Sequence, residues 1–383
     1  MLSFFVFLLI LSILVVIHEF GHFIAAKKNG VKVEEFGFGI PPRIWGIRFG
    51  ETLYSLNWLP IGGFVKVLGE EEAQLKGVHL AEKDKNRTFS RKPAHVKLLI
   101  LTAGVIMNVL LAVTVFYALL GSTSYISDPI LLLDDYKFRF GQAQSVTVIA
   151  GILEKTPAAK TTLKAGDIVT RVQLQGSNNW FQISDSKSLT TVINSAKETP
   201  VIVETEDFYS KEVKSVKVTP FYDEEAKRNI IGVSLVPATS LDYSSSKFLS
   251  GIEHSYNLTA YNAHVIGSLI ASSFESRSVE PVSQVVSGPV GIFGYVDQIL
   301  KNSGKQLVVN VLNLLGVLSL SLALINILPF PALDGGRAAV VLYETITRKA
   351  INPEFERKMN MIGFGALLSL LLLITINDII KLF

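Results

Sequence analysis

Five residues near the N-terminus, His18-Glu19-Phe20-Gly21-His22, hold the densest chemistry in the chain. Two histidines at i and i+4 on a helix lie about 40° apart at ~100° per residue, so both imidazoles reach one ion. Glu19 projects beside them, where a carboxylate takes a proton from metal-activated water and passes it to a leaving amine. The chain has six histidines and no cysteine. Thiolate metal sites, disulfides and thiol catalysis are therefore excluded, and any metal is held by His, Asp or Glu.

Such a pair needs a third ligand. No further histidine follows at the spacing of the longer H-E-x-x-H-x-x-G-x-x-H motif, and Glu34 and Glu35 fall in a hairpin pattern rather than on a following helix. Asp334 is the better candidate, in Asn326-Ile-Leu-Pro329-Phe-Pro331-Ala-Leu-Asp334-Gly335-Gly336. Two His and one carboxylate leave a fourth position for water, as catalytic zinc sites do; zinc is inferred from ligand type, and other divalent ions suit the same set.

The elements that must position these residues are membrane helices. Mean hydropathy is +0.40 over 383 residues, with 49% hydrophobic and 18% charged side chains. A net charge of +3 (36 Lys and Arg against 33 Asp and Glu) is too balanced for a dedicated nucleic-acid binder. Apolar stretches at about 2–26, 98–120, 306–328 and 361–377 predict four transmembrane helices. The first lacks the basic n-region of a signal peptide. Lys27, Lys28, Lys32, Arg87 and Arg91 flank the first connection, and Arg337, Arg348, Lys349 and Arg357 occupy the third, which places both in the cytoplasm. Both termini and residues 128–305 then lie outside. Helix 1 enters from outside, so at ~1.5 Å per residue His18 lies about 27 Å along it, toward the inner leaflet. Helix 3 runs the same way and delivers Asp334 at its inner end. Pro329 and Pro331 break regular helix there, leaving free backbone to hold a substrate strand and turn Asp334 toward the metal.

Residues 33–68 alternate Gly and Pro with runs of Ile, Phe, Tyr, Val and Trp, a hairpin pattern unusually apolar for a cytosolic loop. The expectation is a membrane-associated β-hairpin region that dips into the bilayer and lends its edge to an extended substrate. Gly37, Gly39, Gly62 and Gly63 suit turns or close backbone approach. Residues 69–97, with Glu70, Glu71 and Glu72, suit a solvated linker.

In the outer segment, Val146–Ile152, Thr156-Pro157-Ala158-Ala159, Leu163-Lys164-Ala165-Gly166-Asp167-Ile168-Val169, a helix over Ser188–Ala196, and strands at 201–204 and 213–218 resemble a PDZ domain of the bacterial protease type. PDZ domains add a peptide to a sheet edge beside a helix. Here the usual GLGF strand entry is missing, which bears on peptide binding rather than on the fold. Residues 247–274 suit an amphipathic helix on the outer membrane surface, with His254 and His264 as interfacial polar residues. The chain thus divides into 1–127 (first half of a membrane core), 128–236 (PDZ), 237–305 (amphipathic region) and 306–383 (second half). The fold class is a polytopic α-helical membrane protein with a β-hairpin region and one extracytoplasmic PDZ (mixed α/β) domain.

These motifs together resemble the site-2 protease family of intramembrane zinc metalloproteases, of the bacterial regulator of sigma-E protease type. The marks are H-E-F-G-H at 18–22, F-G-F-G at 36–39, P-I-G-G-F-V-K at 60–66, G-V-I-M-N at 104–108, S-G-P-V-G-I at 287–292 and N-x-x-P-x-P-x-L-D-G-G at 326–336, spanning nearly the whole chain. The resemblance implies His18, His22 and Asp334 as Zn²⁺ ligands, Glu19 as catalytic base, Asn326 and Pro329 lining the substrate site, and the hairpin, with Gly62 and Gly63, presenting the substrate. Gly104 and Asn108 match the family's second-helix motif, with Asn108 grouped among the substrate-binding positions. Read from the residues alone, Gly104 allows close helix approach and Asn108 is a buried polar group needing a partner, which plain packing fits equally. The best-known members carry two tandem PDZ domains, whereas this chain has room for one.

The function implied is cleavage of single-pass transmembrane substrates in the plane of the bacterial inner membrane, toward its cytoplasmic side. Anti-sigma factors and remnant signal peptides are the family's expected substrates. A metal-stabilised adaptor would call for a fourth protein ligand, and a metal transporter for inverted repeats, neither of which the sequence offers.

Overall fold

Apolar stretches without internal proline satisfy their backbone in lipid only as helices. In the computed structural model, which describes residues 1–70, 82–224, 226–277 and 287–380, each of the four stretches is one. Among the described residues, four helices are long and apolar enough to cross a membrane. These are α1 (Leu2–Lys28), α2 (Ala94–Ser122), the span Gly304–Asn326 and the last helix, Pro353–Ile380. The last begins eight residues before its expected start because Pro353 opens it and Asn352 Oδ1 accepts from Glu354 N at 2.8 Å, a cap that adds a polar first turn.

The chain forms two compact units: residues 1–115, 258–297 and 314–383 make the first, and 116–257 with 298–313 the second. In the first, α1 ends where Asn29 Nδ2 donates to Ala25 O and Gly30 takes φ +66°, reversing the chain into β1 (Val33–Phe49). β1 pairs antiparallel with β2 (Thr52–Val67), and the hairpin is folded double. Gly37 pairs with both Phe64 and Ser55, and Ser55 pairs in turn with Gly46. Four segments therefore lie side by side in the order 63–67, 33–38, 52–57, 43–49. Among the described residues, segment 63–67 is an edge. At the tip, Arg87 donates twice to the Glu51 carboxylate, at 2.6 and 2.7 Å, and Lys27 Nζ donates at 2.9 Å. The Arg87 and Lys27 contacts hold that carboxyl down to about 2. The expected linker of 69–97 lies partly outside the described residues, Glu71 and Glu72 included; Glu82–Arg87 forms a 3-10 turn.

The second unit is built on a sheet. β3 (Ile130–Leu131), β4 (Gln142–Ile152), β5 (Asp167–Leu174), β6 (Trp180–Gln182), α3 (Ser186–Ala196), β7 (Val201–Asp207) and β8 (Val213–Val218) come first in the chain. A small hairpin of β9 (Phe221–Asp223) and β10 (Arg228–Ile230) follows, then β11 (Val233–Asp242). The sheet order is β3-β11-β4-β5-β7-β8, with β6 on β5. Strands β4 and β7 run longer than expected because their outer ends find partners, Gln142 with Asp242 and Asp207 with Asp167. Helix α3 starts before Ser188 because Asp185 is its cap, its side chain accepting from Ser188 N at 2.7 Å. Leu189 and Ile193 of α3 bury against Val169, Val172, Val201 and Val203. Truncating any one of them to alanine costs about 2–4 kcal/mol.

Helix α4 (Ser250–Ser276) covers the amphipathic stretch. It corrects one expectation: His254 is 5% exposed rather than interfacial, packed on Phe116 and within 3.1 Å of Tyr243 Oη, while His264 is exposed. The remaining helices are α5 (Pro289–Asn302), α6 (Leu307–Asn326), α7 (Asp334–Thr347) and α8 (Pro353–Ile380). The S-G-P-V-G-I run caps α5, since Gly288 N and Gly291 N both donate to the buried Asp378 carboxylate of α8 at 2.8 Å. Helix α7 was not foreseen; its first residue is Asp334.

Candidate metal centre

Three elements bring the centre together. On α1, His18 and His22 stack one turn apart, their Nε2 atoms 3.2 Å from each other. The bend after α6 turns at Pro329–Leu333 and opens α7 with Asp334, whose Oδ2 lies 3.0 Å from His18 Nε2 and 3.3 Å from His22 Nε2. Helix α2 closes the back. Gly104 faces both rings, and a Cβ there would stand 2.5 Å from His22 Nε2 and 2.8 Å from His18 Nε2. The three ligand atoms are the one such His/Asp/Glu group among the described residues.

The spacing fits a tetrahedral ion. Bonds of ~2.0–2.1 Å give ligand-to-ligand edges of about 3.3 Å, against the 3.0, 3.2 and 3.3 Å found here. The tautomers agree. His22 Nδ1–H donates to Ile100 O at 2.8 Å, which leaves its Nε2 lone pair facing the centre. His18 Nδ1 lies 3.2 Å from the Asn108 carboxamide, whose Oδ1 is buried without a hydrogen-bond partner. Turning that carboxamide over lets Oδ1 accept from His18 Nδ1–H and frees the second Nε2 lone pair for the same centre. Three lone-pair atoms then converge with no proton between them, an arrangement a cation stabilises.

A cavity of about 260 Å³ opens beside these atoms, lined by Val15, His18, Glu19, Leu322, Asn326, Ala332, Leu333 and Asp334. Glu19 and Asn326 therefore share one space with His18 and Asp334. Asn108 is not among the lining residues: it is fully buried beside His18. Pro329 sits in the bend and is not among the lining residues. Gly63 lies on the hairpin edge, where a Cβ would meet Glu19 Cγ at 3.6 Å and Val15 Cγ1 at 3.7 Å. Gly62 turns with φ +88°, and Ser12 of α1 ties the hairpin down by donating to Pro60 O at 3.1 Å. Two supports had no sequence signal, the Ile100 carbonyl because every residue carries one, and Asn360 of α8 because its partner is a backbone N–H 28 residues away.

Comparison with known proteins agrees with this geometry. The family model described as Peptidase family M50 matches residues 6–370. A Clostridium perfringens protein whose given name includes the words zinc metalloprotease is 32% identical over 379 residues, covering 97% of each chain. A similarly named protein of Fusobacterium nucleatum is 31% identical over 382 residues, covering both chains whole. The zinc metalloprotease RasP of Shouchella clausii is 27% identical over 460 aligned positions, covering 98% of each. By a match that runs from the first apolar helix to the last, this chain belongs to peptidase family M50, the site-2 proteases.

Proposed function

We propose that the chain is an intramembrane protease that cuts single-pass transmembrane substrates. It is a multi-pass membrane protein and a zinc-dependent metalloprotease of its family. His18, His22 and Asp334 are the residues that would hold zinc, and when bound the ion supplies Lewis-acid polarisation of the scissile carbonyl and of water. The observation that carries this reading is the convergence of three ligand atoms within 3.3 Å, two of their residues, His18 and Asp334, lining a cavity that Glu19 also lines.

The chain's own residues do the rest. The Glu19 carboxylate accepts a proton from water and returns it to the leaving amine. A transmembrane helix hides its scissile carbonyl, so the substrate unwinds, and the free edge at 63–67 supplies partners for the exposed N–H and C=O groups. Asn326, at the end of α6, binds the substrate backbone inside the cavity, and Pro329 keeps the bend open. Positive charge near Lys27, Lys28, Arg87, Arg337 and Arg348 supports a cytoplasmic hairpin and α7, with both termini and residues 128–305 outside. The sheet of β4, β5, β7, β8 and β11 with α3 supports a PDZ domain that takes extracytoplasmic peptide.

The test is cleavage of a model transmembrane substrate by purified, detergent-solubilised protein, with metal content measured on wild type and Glu19→Gln. Zinc in both and product from wild type alone is the expected result, with a fall of about 10²–10⁴-fold in the variant. Product from Glu19→Gln at the wild-type rate removes Glu19 from its role, and absence of zinc from both removes the ligand set.

A further inference from the structure

We propose that Asn360 of α8 is a positioning residue for the third ligand, acting on Asp334 through the backbone of Ala332. The inference rests on the reading of His18, His22 and Asp334 as metal ligands. Between α6 and α7 the chain turns within residues 327–333, and it does so with Ala332 at φ +74°. That is the left-handed region, where an alanine Cβ crowds the following carbonyl. A non-glycine residue stays there only when its surroundings hold it.

Helix α8 provides the hold. The side-chain oxygen of Asn360 accepts from Ala332 N at 3.2 Å. Three residues on, and so on the same helix face, Gly363 is buried and lets the bend approach; a Cβ there would stand 2.5 Å from Pro331 O. Asn360 and Gly363 thus grip consecutive residues, Pro331 and Ala332. Asp334 follows two residues later, with Oδ2 3.0 Å from His18 Nε2. Helix α8 contributes no ligand atom, yet its side chain fixes the residue from which the third ligand is launched.

A packing role and a positioning role separate in zinc affinity. The measurement is chelator competition for zinc on the purified full-length protein, comparing wild type, Asn360→Leu, Ala332→Gly, their combination, and Asp334→Asn as the ligand control. Asn360→Leu should weaken zinc about tenfold. Ala332→Gly alone should bind within about twofold of wild type, because glycine adopts positive φ freely, and in the combination it should recover most of the loss. Asn360→Ala gives the same reading if the leucine variant does not fold. Unchanged affinity in the Asn360 variants, or a loss that Ala332→Gly does not restore, overturns the positioning role. Wild-type affinity in Asp334→Asn overturns instead the ligand reading on which it rests.

Discussion

Gly104 of α2 and His22 of α1 are in direct opposition: a single methyl on Gly104 would stand 2.5 Å from His22 Nε2, inside any real carbon-to-nitrogen contact. The atom in its way belongs to a ring held in place, since His22 Nδ1 donates to Ile100 O. Gly104→Ala should therefore push the imidazoles off their common point. Zinc bound per chain should fall to a small fraction of wild type while helix content stays, at a cost in stability of about 1–3 kcal/mol. Metal analysis beside circular dichroism checks this, and full zinc occupancy would show that the rings have room to yield.

Asn108 addresses the other histidine. Replacing it by Ala leaves His18 Nδ1 without its partner and frees the ring to turn or change tautomer, so zinc affinity should drop by about 10–100-fold. A variant that loses stability but keeps wild-type zinc affinity would reduce Asn108 to a packing residue. Chelator competition and thermal unfolding of the metal-free form, read together, tell these apart.

Gly63 tests the hairpin edge. A Cβ at that place meets Glu19 and Val15 at ordinary contact distance but comes within 3.0 Å of Gly37 O, so Ala is nearly accommodated and a longer side chain fills the cavity mouth. Gly63→Leu should lower kcat/KM about tenfold or more with zinc content unchanged. Equal kcat/KM in variant and wild type would mean that substrate does not pass this edge.

His254 should make the second unit sensitive to acid. Burial against Phe116 and Tyr243 holds its pKa down from 6.5 to about 4, so the folded unit keeps it neutral. Between those values the unfolded chain binds a proton that the folded chain does not. Stability is then full above about 6.5, falls as pH drops through the window toward 4, and levels below it, by roughly 3 kcal/mol at most. His254→Phe should flatten that part of the profile in thermal unfolding from pH 7 to 4; an unchanged slope would assign the acid sensitivity to other groups.

The membrane helices and the H-E-x-x-H pair were legible because both are local. Apolar length marks a span whatever surrounds it, and a spacing of four puts two side chains on one helix face in any fold. Depth along two helices running the same way was enough to connect Asp334 with His18, 316 residues apart. The double fold of the hairpin was not readable, because Gly37 pairs on both of its edges and sequence pattern specifies strands rather than which of two partners each edge takes. His254 was misplaced at the interface for a related reason: its polarity is a local property, but the Tyr243 hydroxyl that satisfies it comes from a different element.

Taken by itself, the sequence determined the four helices long and apolar enough to span and the residues able to bind a metal, since periodicity and polarity act over a few residues. Only the tertiary structure decided what stands behind those residues. Asn108 faces His18, Gly104 makes room for both rings, and Asn360 holds the left-handed Ala332 from another helix. Such partners are chosen by the packing of distant elements, and a carboxamide carries no mark in its own sequence of which backbone or ring it will meet.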